Sequence, residues 1–326
     1  MGRRVTINDV ARAAGVSRQT VSRALNDKGE IDGGTKQRVL DAAKELGYRP
    51  SRFARGLVRQ DSTTIGLVIP DLLNPFFTEV AAGALEAARA RGWHVIVYDT
   101  ADSTAEESTL AVAVSQVDAV VGYFSLGESE LDGHLTGIPA VLIGREHHTP
   151  RFSSIRVDGR AGIREAVGHL VARGHTSIGM LDHAGRAGPS PRHDWFAGAM
   201  TEHGLPAHLV GNAVQSVDGG AEALHELLGR HPGLTAVLTY NDVIAVGALK
   251  AARRLGRIVP DDLAVVGFDG LQLGTVVDPA LTSVALDTTR IGALAIEQAG
   301  RLLHGDPLLP DEELQVDGVL VVRESA

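Results

Sequence analysis

Arg18 and Gln19 are the residues of this sequence whose side chains are best suited to reading DNA bases. An arginine can donate two hydrogen bonds to O6 and N7 of a guanine, and a glutamine can pair with N6 and N7 of an adenine. Both residues follow Ser17, a favourable helix N-cap, and apolar residues recur behind them at helical spacing. The pattern therefore predicts a helix over residues 18–26 whose first turn and outer face can reach a DNA groove.

Two more helices are predicted around this one. A first helix begins at a Thr6 cap and ends at Gly15, because glycine tolerates the left-handed backbone of a tight turn. A third helix begins at a Thr35 cap and ends at Gly47. Two helices joined by a tight turn, the second with a polar face, predict a helix-turn-helix DNA-binding module. The alternative is the solvated face of an ordinary helical pair.

The charge of the chain is unevenly distributed. The whole sequence has a net charge of −9 at pH 7, yet residues 1–60 hold 13 Lys/Arg against 6 Asp/Glu. Basic charge concentrated in a small module suits phosphate contacts, and an acidic remainder limits nonspecific binding to DNA. The distribution therefore favours a DNA-binding head on an acidic body.

The composition limits the classes of protein that are possible. At 326 residues, with 44% hydrophobic and 22% charged residues, the chain is expected to form two or three globular domains. It contains no cysteine, which excludes disulfides, thiolate catalysis and cysteine zinc sites. No apolar run is long enough for a signal peptide or a membrane span. We therefore expect a cytoplasmic protein without membrane association, metal or cofactor.

The residues after the helical module resemble a short helix. Phe53 and Leu57 have helical spacing within residues 51–59, but an isolated helix of this length is not stable in water. Gly56 weakens it further. The segment is therefore expected to fold only against DNA and a partner chain.

The remainder of the chain alternates between strand and helix patterns. Short apolar runs at residues 64–70, 94–98, 119–121, 140–143, 178–181, 236–238 and 263–266 are separated by helical patterns, including an amphipathic helix near residues 76–91. This order predicts an α/β fold with parallel sheets. Such sheets bind ligands beyond the carboxyl ends of their strands, so the loops after the strands are the candidate ligand site.

The N-terminal motifs resemble those of the lactose/galactose repressor (LacI/GalR) family. They are INDVA at residues 7–11, AGVS at 14–17, TVSRALN at 20–26 and GYRP at 47–50. The resemblance implies that residues 51–58 form a hinge helix and that Leu57 wedges into a minor-groove step, which kinks the DNA; packing of Leu57 against its own domain is the alternative. The expected DNA-contacting residues are Thr6, Ser17, Arg18, Gln19, Thr20, Ser22, Arg23, Asn26, Arg52, Ala54 and Leu57.

The body carries family-like motifs as well. They are PDLLNPFF at residues 70–77, ND at 241–242, AVGA at 245–248, VVGFD at 265–269 and PALTSV at 279–284. The resemblance implies a two-lobed body like that of periplasmic binding proteins, with a cleft between the lobes and three chain crossovers. We expect a helix-turn-helix domain at 1–50, a hinge helix at 51–60 and an effector-binding and dimerisation domain at 61–326. Lobe one is expected at 61–160 and 288–316, and lobe two at 161–287 and 317–326.

Three residues match positions that contact the ligand in the family. Asp269 matches a cleft aspartate that accepts hydrogen bonds from ligand hydroxyls, Asn241 matches a polar contact and Phe76 matches an apolar wall. Two of them have an ordinary structural alternative, since Asn241 or Asp242 can cap the next helix and Phe76 can be core.

One departure from the family leaves the effector open. The family usually has an arginine three residues before the glycine that matches Gly198, and this sequence has Trp195 there. Either Arg192 or Arg145 supplies a guanidinium instead, or Trp195 stacks on an apolar sugar face. Gln215 occupies the place of an aromatic residue in the second lobe.

These observations predict a transcription repressor that binds operator DNA. We expect a homodimer on a pseudo-palindromic site, with affinity controlled by a small-molecule effector, a sugar or a related polar metabolite. A solute-binding sensor with a weak or activating role on DNA is the alternative. An enzyme is disfavoured because the sequence lacks the nucleotide-binding, metalloprotease and hydrolase motifs. An architectural DNA protein would not need the acidic body.

Overall fold

The computed structural model describes residues 7–25, 31–46, 63–100, 103–145, 152–183 and 188–326. The chain divides into two compact units, Met1–Thr63 and Thr64–Ala326, which we call the head and the body. The hinge helix predicted at residues 51–60 lies outside the described residues. Among the residues that are described, no helix is both long and apolar enough to cross a membrane.

The head is a bundle of short helices. Helices α1 (Ile7–Ala14), α2 (Arg18–Leu25) and α3 (Gly33–Glu45) surround a small core in which Val10, Val21 and Val39 are fully buried. Alanines at helical spacing complete this core and allow the helices to approach closely. The predicted helix-turn-helix is confirmed.

The turn between α1 and α2 has the predicted geometry. Gly15 has a φ of 66°, in the left-handed region that glycine adopts without strain. The backbone N–H of Val16 donates to the carbonyl of Ala11 at 3.0 Å, which closes the end of α1 in the manner of a helix C-cap. Val16 then packs against the head core.

The predicted start of α3 was wrong. The helix begins at Gly33 rather than at a Thr35 cap. The Asp32 carboxylate accepts hydrogen bonds from the backbone N–H of Thr35 at 3.0 Å and from its hydroxyl at 3.3 Å. Aspartate is at least as good an N-cap as threonine, and the two glycines that follow it are weak helix formers that obscured the start of the helix.

Lobe one of the body is built on a parallel sheet with the order β11-β5-β4-β3-β1-β2. Its strands are β1 (Thr64–Ile69), β2 (His94–Asp99), β3 (Ala119–Gly122), β4 (Ala140–Ile143), β5 (Ser153–Asp158) and β11 (Gln315–Asp317). The helices of this lobe are α4 (Pro75–Ala90), α5 (Ser103–Val114), α6 (Glu128–His134) and α12 (Thr288–His304). The central strands are apolar and buried because helices cover the sheet.

Lobe two repeats the plan with the order β12-β10-β9-β8-β6-β7, in which only β12 is antiparallel to its neighbour. Its strands are β6 (Ile178–His183), β7 (Val210–Ala213), β8 (Ala236–Thr239), β9 (Ala264–Asp269), β10 (Thr282–Ala285) and β12 (Val319–Val321). Its helices are α7 (Arg160–Ala172), α8 (Pro191–Glu202), α9 (Val217–Arg230), α10 (Asp242–Arg254) and α11 (Leu273–Val276). The predicted α/β fold with parallel sheets is confirmed.

The chain passes between the lobes three times, after β5, after β10 and between β11 and β12. Helix α12, which follows the second crossover, packs on α4 so closely that a Cβ added to Gly83 would lie 2.4 Å from the carbonyl oxygen of Thr289. Glycine at this contact is therefore required by the spacing of the helices. The arrangement places the N-terminus of α4 and the start of α12 beside the other lobe.

Candidate functional sites

The first turn of α2 presents the predicted base-reading side chains to solvent. Arg18 and Gln19 are exposed, as is Arg23 one turn later, and Val21 on the opposite side is fully buried. The amphipathic pattern therefore orients the helix as the sequence indicated. Two exposed donors at the start of a second helix form a surface that can hydrogen-bond to base edges.

Ser17 holds this turn in place. Its Oγ accepts a hydrogen bond from the backbone N–H of Thr20 at 3.1 Å, and the two hydroxyl oxygens lie 2.9 Å apart. The serine thus satisfies one of the free N–H groups at the start of α2. Thr20 and Ser22 are half-buried beside it. The remaining members of the expected DNA-contacting set, Thr6, Asn26, Arg52, Ala54 and Leu57, lie outside the described residues.

The body contains a cavity of about 210 Å³ between the two lobes. It lies at the carboxyl ends of strands from both sheets and at the N-termini of α4, α8 and α10, as expected for an open α/β sheet. The residues that line it are Asn74, Phe76, Phe77, Tyr123, Gly144, Val157, Pro191, Arg192, Trp195, Gln215, Tyr240, Asn241, Phe268 and Asp269.

A buried ion pair forms the polar centre of the cavity. Nη2 of Arg192 lies 3.2 Å from Oδ1 of Asp269, and Nη1 donates to the carbonyl oxygen of Tyr240. The guanidinium carbon lies 3.7 Å from the ring centre of Phe268 and 4.4 Å from that of Tyr240. Two aromatic rings and two hydrogen bonds therefore fix the guanidinium. The Arg192 side chain is 17% exposed and that of Asp269 only 3%.

Asp182 anchors the helix that carries Arg192. This buried aspartate in β6 accepts hydrogen bonds from the backbone N–H and the hydroxyl of Ser190, at 3.0 and 2.5 Å. Ser190 is itself the N-cap of α8 and accepts from the N–H of His193. The start of α8 is therefore fixed to the sheet of lobe two, and Arg192 is directed into the cavity.

Asp269 sits in an unusual backbone conformation that a second aspartate supports. Its φ of 110° is rare for a residue with a side chain. Just after it, the N–H of Leu271 donates to Oδ2 of Asp242 at 2.7 Å, and the Ser283 hydroxyl donates to Oδ1 of Asp242 at 2.6 Å. The Ser283 oxygen in turn accepts from the N–H of Gly270 at 3.1 Å. Buried hydrogen bonds thus hold the turn that presents the Asp269 carboxyl.

Burial controls the ionisation of both aspartates. It raises the pKa of Asp269 to about 8, with Arg192 lowering that pKa and the charges of Asp242 and Glu79 raising it. Burial also raises the pKa of Asp242 to about 6, against the lowering effect of the hydrogen bonds from Ser283 and Leu271. Both carboxyls therefore retain protons at a higher pH than exposed aspartates do.

Asn241 combines two roles that the sequence left as alternatives. Its Oδ1 caps α10 by accepting from the N–H of Ile244 at 2.9 Å. Its Nδ2 donates to Oε1 of Gln215 at 2.8 Å, on the wall of the cavity. Capping therefore fixes the amide and leaves its other end beside the cavity. Gln215 also lies 3.2 Å from Nε2 of His183.

An aromatic wall from lobe one faces the ion pair. The rings of Phe76, Phe77 and Tyr123 contact one another edge to face, with centroids 5.1 to 5.9 Å apart. Phe76 belongs to the core and also lines the cavity, so both interpretations of this residue describe it. The Tyr123 hydroxyl is buried without a hydrogen-bond partner among the described residues. Burial and the charge of Asp269 raise its pKa, and Arg192 opposes them.

Of the two arginines considered in the sequence, the structure brings only Arg192 to the cavity. The Arg145 guanidinium donates to the backbone carbonyls of Phe124 and Leu126 and is not among the described residues that line the cavity. Trp195, one helical turn after Arg192, does line it.

Several residues lining the cavity were not anticipated from the sequence. Tyr123 and Tyr240 each directly follow a strand that the apolar runs predicted. The rule that ligands bind beyond strand ends was therefore a sufficient signal for both. Phe268, one position before Asp269, is a buried strand residue. The apolar run around it gives no sign that its ring lies under the guanidinium of Arg192.

Comparison with known proteins assigns a domain family to each part of the chain. A model of the bacterial regulatory proteins of the LacI family matches residues 6–51. A model of a periplasmic binding protein-like domain matches residues 167–326. The first match contains the turn that carries Arg18 and Gln19, and the second contains all of the cavity-lining residues that lobe two contributes.

Relatives extend over the whole chain. The ribose operon repressor of Halalkalibacterium halodurans is 34% identical over 98% of this chain and 96% of its own length. The structure of a CelR–cellobiose complex has a TM-score of 0.72 at 29% identity and covers 99% of this chain and 100% of its own. The structure of the lac repressor dimer bound to operator and the anti-inducer ONPF has a TM-score of 0.73 at 26% identity, over 99% of both chains. This chain belongs to the LacI family of bacterial transcription regulators.

Proposed function

We propose that this protein represses transcription as a homodimer bound to a pseudo-palindromic operator, and that a sugar or related polar metabolite in the body cavity changes its affinity for DNA. The observation that carries the proposal is the cavity between the two lobes, with the Arg192–Asp269 pair at its centre. The same chain has a head that exposes Arg18 and Gln19 on a helix-turn-helix. The relatives named above are a repressor, a sugar complex and an operator complex.

The position of the cavity supplies the physical basis for control. Phe76 and Tyr123 line it from lobe one, and Arg192 and Asp269 line it from lobe two. A ligand that contacts both walls binds one arrangement of the lobes better than another, and this difference is what shifts an equilibrium. A coupling of about 1–3 kcal/mol is enough for a usable switch and acts equally on effector and DNA affinity.

In this role the body binds an effector and catalyses no reaction, and the protein acts on the chromosome in the cytoplasm. The predicted ligand-binding residues Phe76, Arg192, Trp195, Gln215, Asn241 and Asp269 are proposed as effector contacts. The predicted DNA-contacting residues of α2 are proposed as operator contacts.

A selection from random double-stranded DNA with the full chain tests the proposal. At a fixed and stated salt concentration, we expect an enriched near-palindrome, because a dimer of helix-turn-helix heads reads two half-sites. Titration of that site with sugars and nucleosides then identifies a compound that shifts the affinity. Binding without an enriched sequence would contradict the repressor role and favour a solute sensor with a weak role on DNA. Activation of a reporter by the bound protein would contradict repression alone.

A further inference from the structure

A chain of hydrogen bonds runs from the start of α10 along the cavity wall of lobe two to His183. Asn241 and Gln215 line the cavity, whereas His183, the last residue of β6, is not among the described residues that do. Oδ1 of Asn241 accepts from the N–H of Ile244, and its Nδ2 donates to Oε1 of Gln215. Nε2 of Gln215 in turn lies 3.2 Å from Nε2 of His183. An imidazole outside the cavity therefore ends a chain whose two middle members form its wall.

The helix cap sets the direction of every bond in this chain. Because Oδ1 of Asn241 is held by the N–H at the start of α10, the Asn241 amide presents only N–H groups toward Gln215. Gln215 must therefore present Oε1 to Asn241 and its own NH2 group to His183. An amide NH2 group donates and does not accept, so Nε2 of His183 must be the acceptor and must carry no proton. The chain is complete only when the imidazole is neutral and protonated at Nδ1.

Packing keeps the imidazole at the end of this chain. Its ring centre lies 5.2 Å from that of Tyr240, and the same tyrosine ring contacts the guanidinium of Arg192. The backbone N–H of His183 donates to Oδ1 of Asp182 at 2.8 Å. The neighbouring strand β7 places the uncharged Ala213 opposite His183. Asp182, Tyr240 and, through the tyrosine ring, Arg192 are thus the charged or titratable groups that the described residues place around the imidazole.

Protonation of the imidazole would break the chain. Nε2–H would then point at the NH2 group of Gln215, and two donors form no hydrogen bond. Gln215 cannot turn its amide over without losing the bond from Asn241, and Asn241 cannot turn without uncapping α10. A half-buried donor that loses its acceptor is costly, so the wall has to rearrange. Imidazoles ordinarily gain this proton in the range of about pH 5 to 8.

We infer, on the basis of the proposed function, that His183 is a positioning residue of the effector site: its unprotonated Nε2 fixes the amides of Gln215 and Asn241 in the orientation that an effector meets. Effector affinity then depends on the charge of a side chain outside the cavity lining. The tautomer of His183 can be measured in the unliganded protein, and the affinity can be measured with a bound compound.

Nitrogen-15 NMR of the full chain, labelled at its 13 histidines, measures the tautomer, and His183→Gln identifies the signals of His183. At about pH 8 we expect an unprotonated Nε2 and a protonated Nδ1, because only this tautomer accepts from Gln215. In Gln215→Glu the imidazole should gain its second proton at a higher pH than in the wild type, because the new carboxylate oxygen accepts from Nε2–H. A protonated Nε2 in the neutral wild-type imidazole would overturn the inference.

A tryptophan on the cavity wall reports binding. The chain contains two tryptophans, and Trp93 lies away from the cavity lining, where it packs on His304 and Gly300. Trp93→Phe therefore leaves Trp195, on the cavity wall, as the only source of tryptophan fluorescence. The probes are D-ribose, cellobiose and adenosine, which sample the sugars and nucleosides of the operator titration. Calorimetry without the tryptophan substitution repeats each dissociation constant at the same pH and salt.

For a probe that binds, acid should weaken binding more in the wild type than in His183→Gln. The new glutamine can accept from Gln215 but does not titrate, so this variant should keep the wild-type affinity at about pH 8 and lose about tenfold less at about pH 5. The buried aspartates of the cavity are present in both proteins, so the comparison isolates the imidazole. His183→Ala removes the acceptor and should weaken binding about tenfold even at the higher pH.

His175→Gln is the matched control. It replaces another half-buried histidine of lobe two, one that contacts Thr235 rather than the cavity wall, and should change neither the affinity nor its pH dependence. Equal pH dependence in the wild type and His183→Gln would overturn the role of the imidazole and leave a ligand-controlled repressor. If no probe binds, the operator selection tests the proposed function separately, and the tautomer of His183 decides the inference.

Discussion

Glu79 of lobe one accepts a hydrogen bond from the backbone N–H of Gln272 in lobe two, with 3.2 Å between Oε1 and the nitrogen. Its Oε2 accepts from the Thr288 hydroxyl, also at 3.2 Å, at the start of α12 after the second crossover. One carboxylate therefore connects α4, lobe two and a crossover segment. These bonds require the lobe arrangement seen in this structure, so they contribute to its stability relative to other arrangements.

Glu79→Ala is expected to lower the free energy of unfolding of the full chain by about 1–3 kcal/mol, because two donors lose a charged acceptor. It should also weaken effector binding about tenfold if the effector favours this lobe arrangement. Urea unfolding and calorimetric titration measure the two effects. Glu79→Gln keeps one acceptor oxygen and should fall between the wild type and the alanine variant. Wild-type values for both quantities in Glu79→Ala would show that this link contributes nothing.

Arg192 and Asp269 should depend on each other for stability. Above about pH 8, where the Asp269 carboxyl is ionised, Arg192→Met leaves it buried without its partner, and such changes cost about 3–5 kcal/mol. The double variant Arg192→Met/Asp269→Asn should recover most of that loss, because replacing both members of a buried pair is often nearly neutral.

Effector binding shows whether the Arg192–Asp269 pair contacts the effector or has only a structural role. If the pair contacts the effector, the double variant should unfold like the wild type and still fail to bind. Urea unfolding and fluorescence titration, performed on the same preparations, provide the comparison. A double variant that binds the effector normally would limit the pair to a structural role.

The buried aspartates make stability depend on pH in a defined direction. In the unfolded chain both ionise near their ordinary pKa of about 4. In the folded body the pKa of Asp242 is raised to about 6 and that of Asp269 to about 8. The folded state therefore binds more protons, so the stability from these groups is present below pH 4 and is lost as the pH rises through 6 and 8.

Unfolding in urea over a pH series tests this linkage. The contribution of these two groups to the free energy of unfolding should decrease from about pH 4 to pH 8. Asp269→Asn should flatten the decrease, most clearly in its upper part. The pKa of Asp218 is lowered by Lys250, so its contribution to stability increases with pH. Asp218→Asn should therefore not flatten the decrease. Equal slopes for the wild type and Asp269→Asn would place the pKa of Asp269 near its ordinary value.

Local patterns were sufficient to predict the head and the central strands. Ser17, Arg18 and Gln19 act within one helical turn, so their spacing alone indicated the cap and the exposed face. The buried runs of β1, β3, β4, β8 and β9 were apparent because helices cover both faces of a parallel sheet. Strands β5, β7 and β10 were not predicted, since SSIRVD, VGNA and TSVA mix polar and small residues.

The site was only partly predictable because its contacts join distant parts of the chain. Asp269, Asn241 and Phe76 were identified by family resemblance, and all three line the cavity. Whether Arg192 or Arg145 supplied the guanidinium depended on tertiary packing, which directs Arg145 to carbonyls of its own lobe. The bond between Glu79 and Gln272 joins residues 193 positions apart, and no local pattern could indicate it.

We expect some exposed residues of α2 to contact DNA bases and others to contact the phosphates of the DNA backbone. Arg18→Ala is expected to cost about 1–3 kcal/mol on the selected operator and to relax specificity at one base pair of each half-site, because a two-bond contact with guanine is lost. Arg23→Ala, if it removes a phosphate contact, should weaken binding to all sequences alike and lower the salt dependence by about one ion.

Repeating the DNA selection and the salt titration with each variant distinguishes these roles. Gln37→Ala provides the control, since Gln37 is an exposed residue of α3 that contacts Asp41 of the same helix. It should leave both the selected sequence and the salt slope unchanged. The assignment of Arg18 would be wrong if Arg18→Ala selected the same sequence with the same stringency as the wild type. In that case Gln19 and residues beyond the first turn of α2 would have to carry the base recognition, and the polar face of the helix would serve mainly to position the head on the DNA backbone.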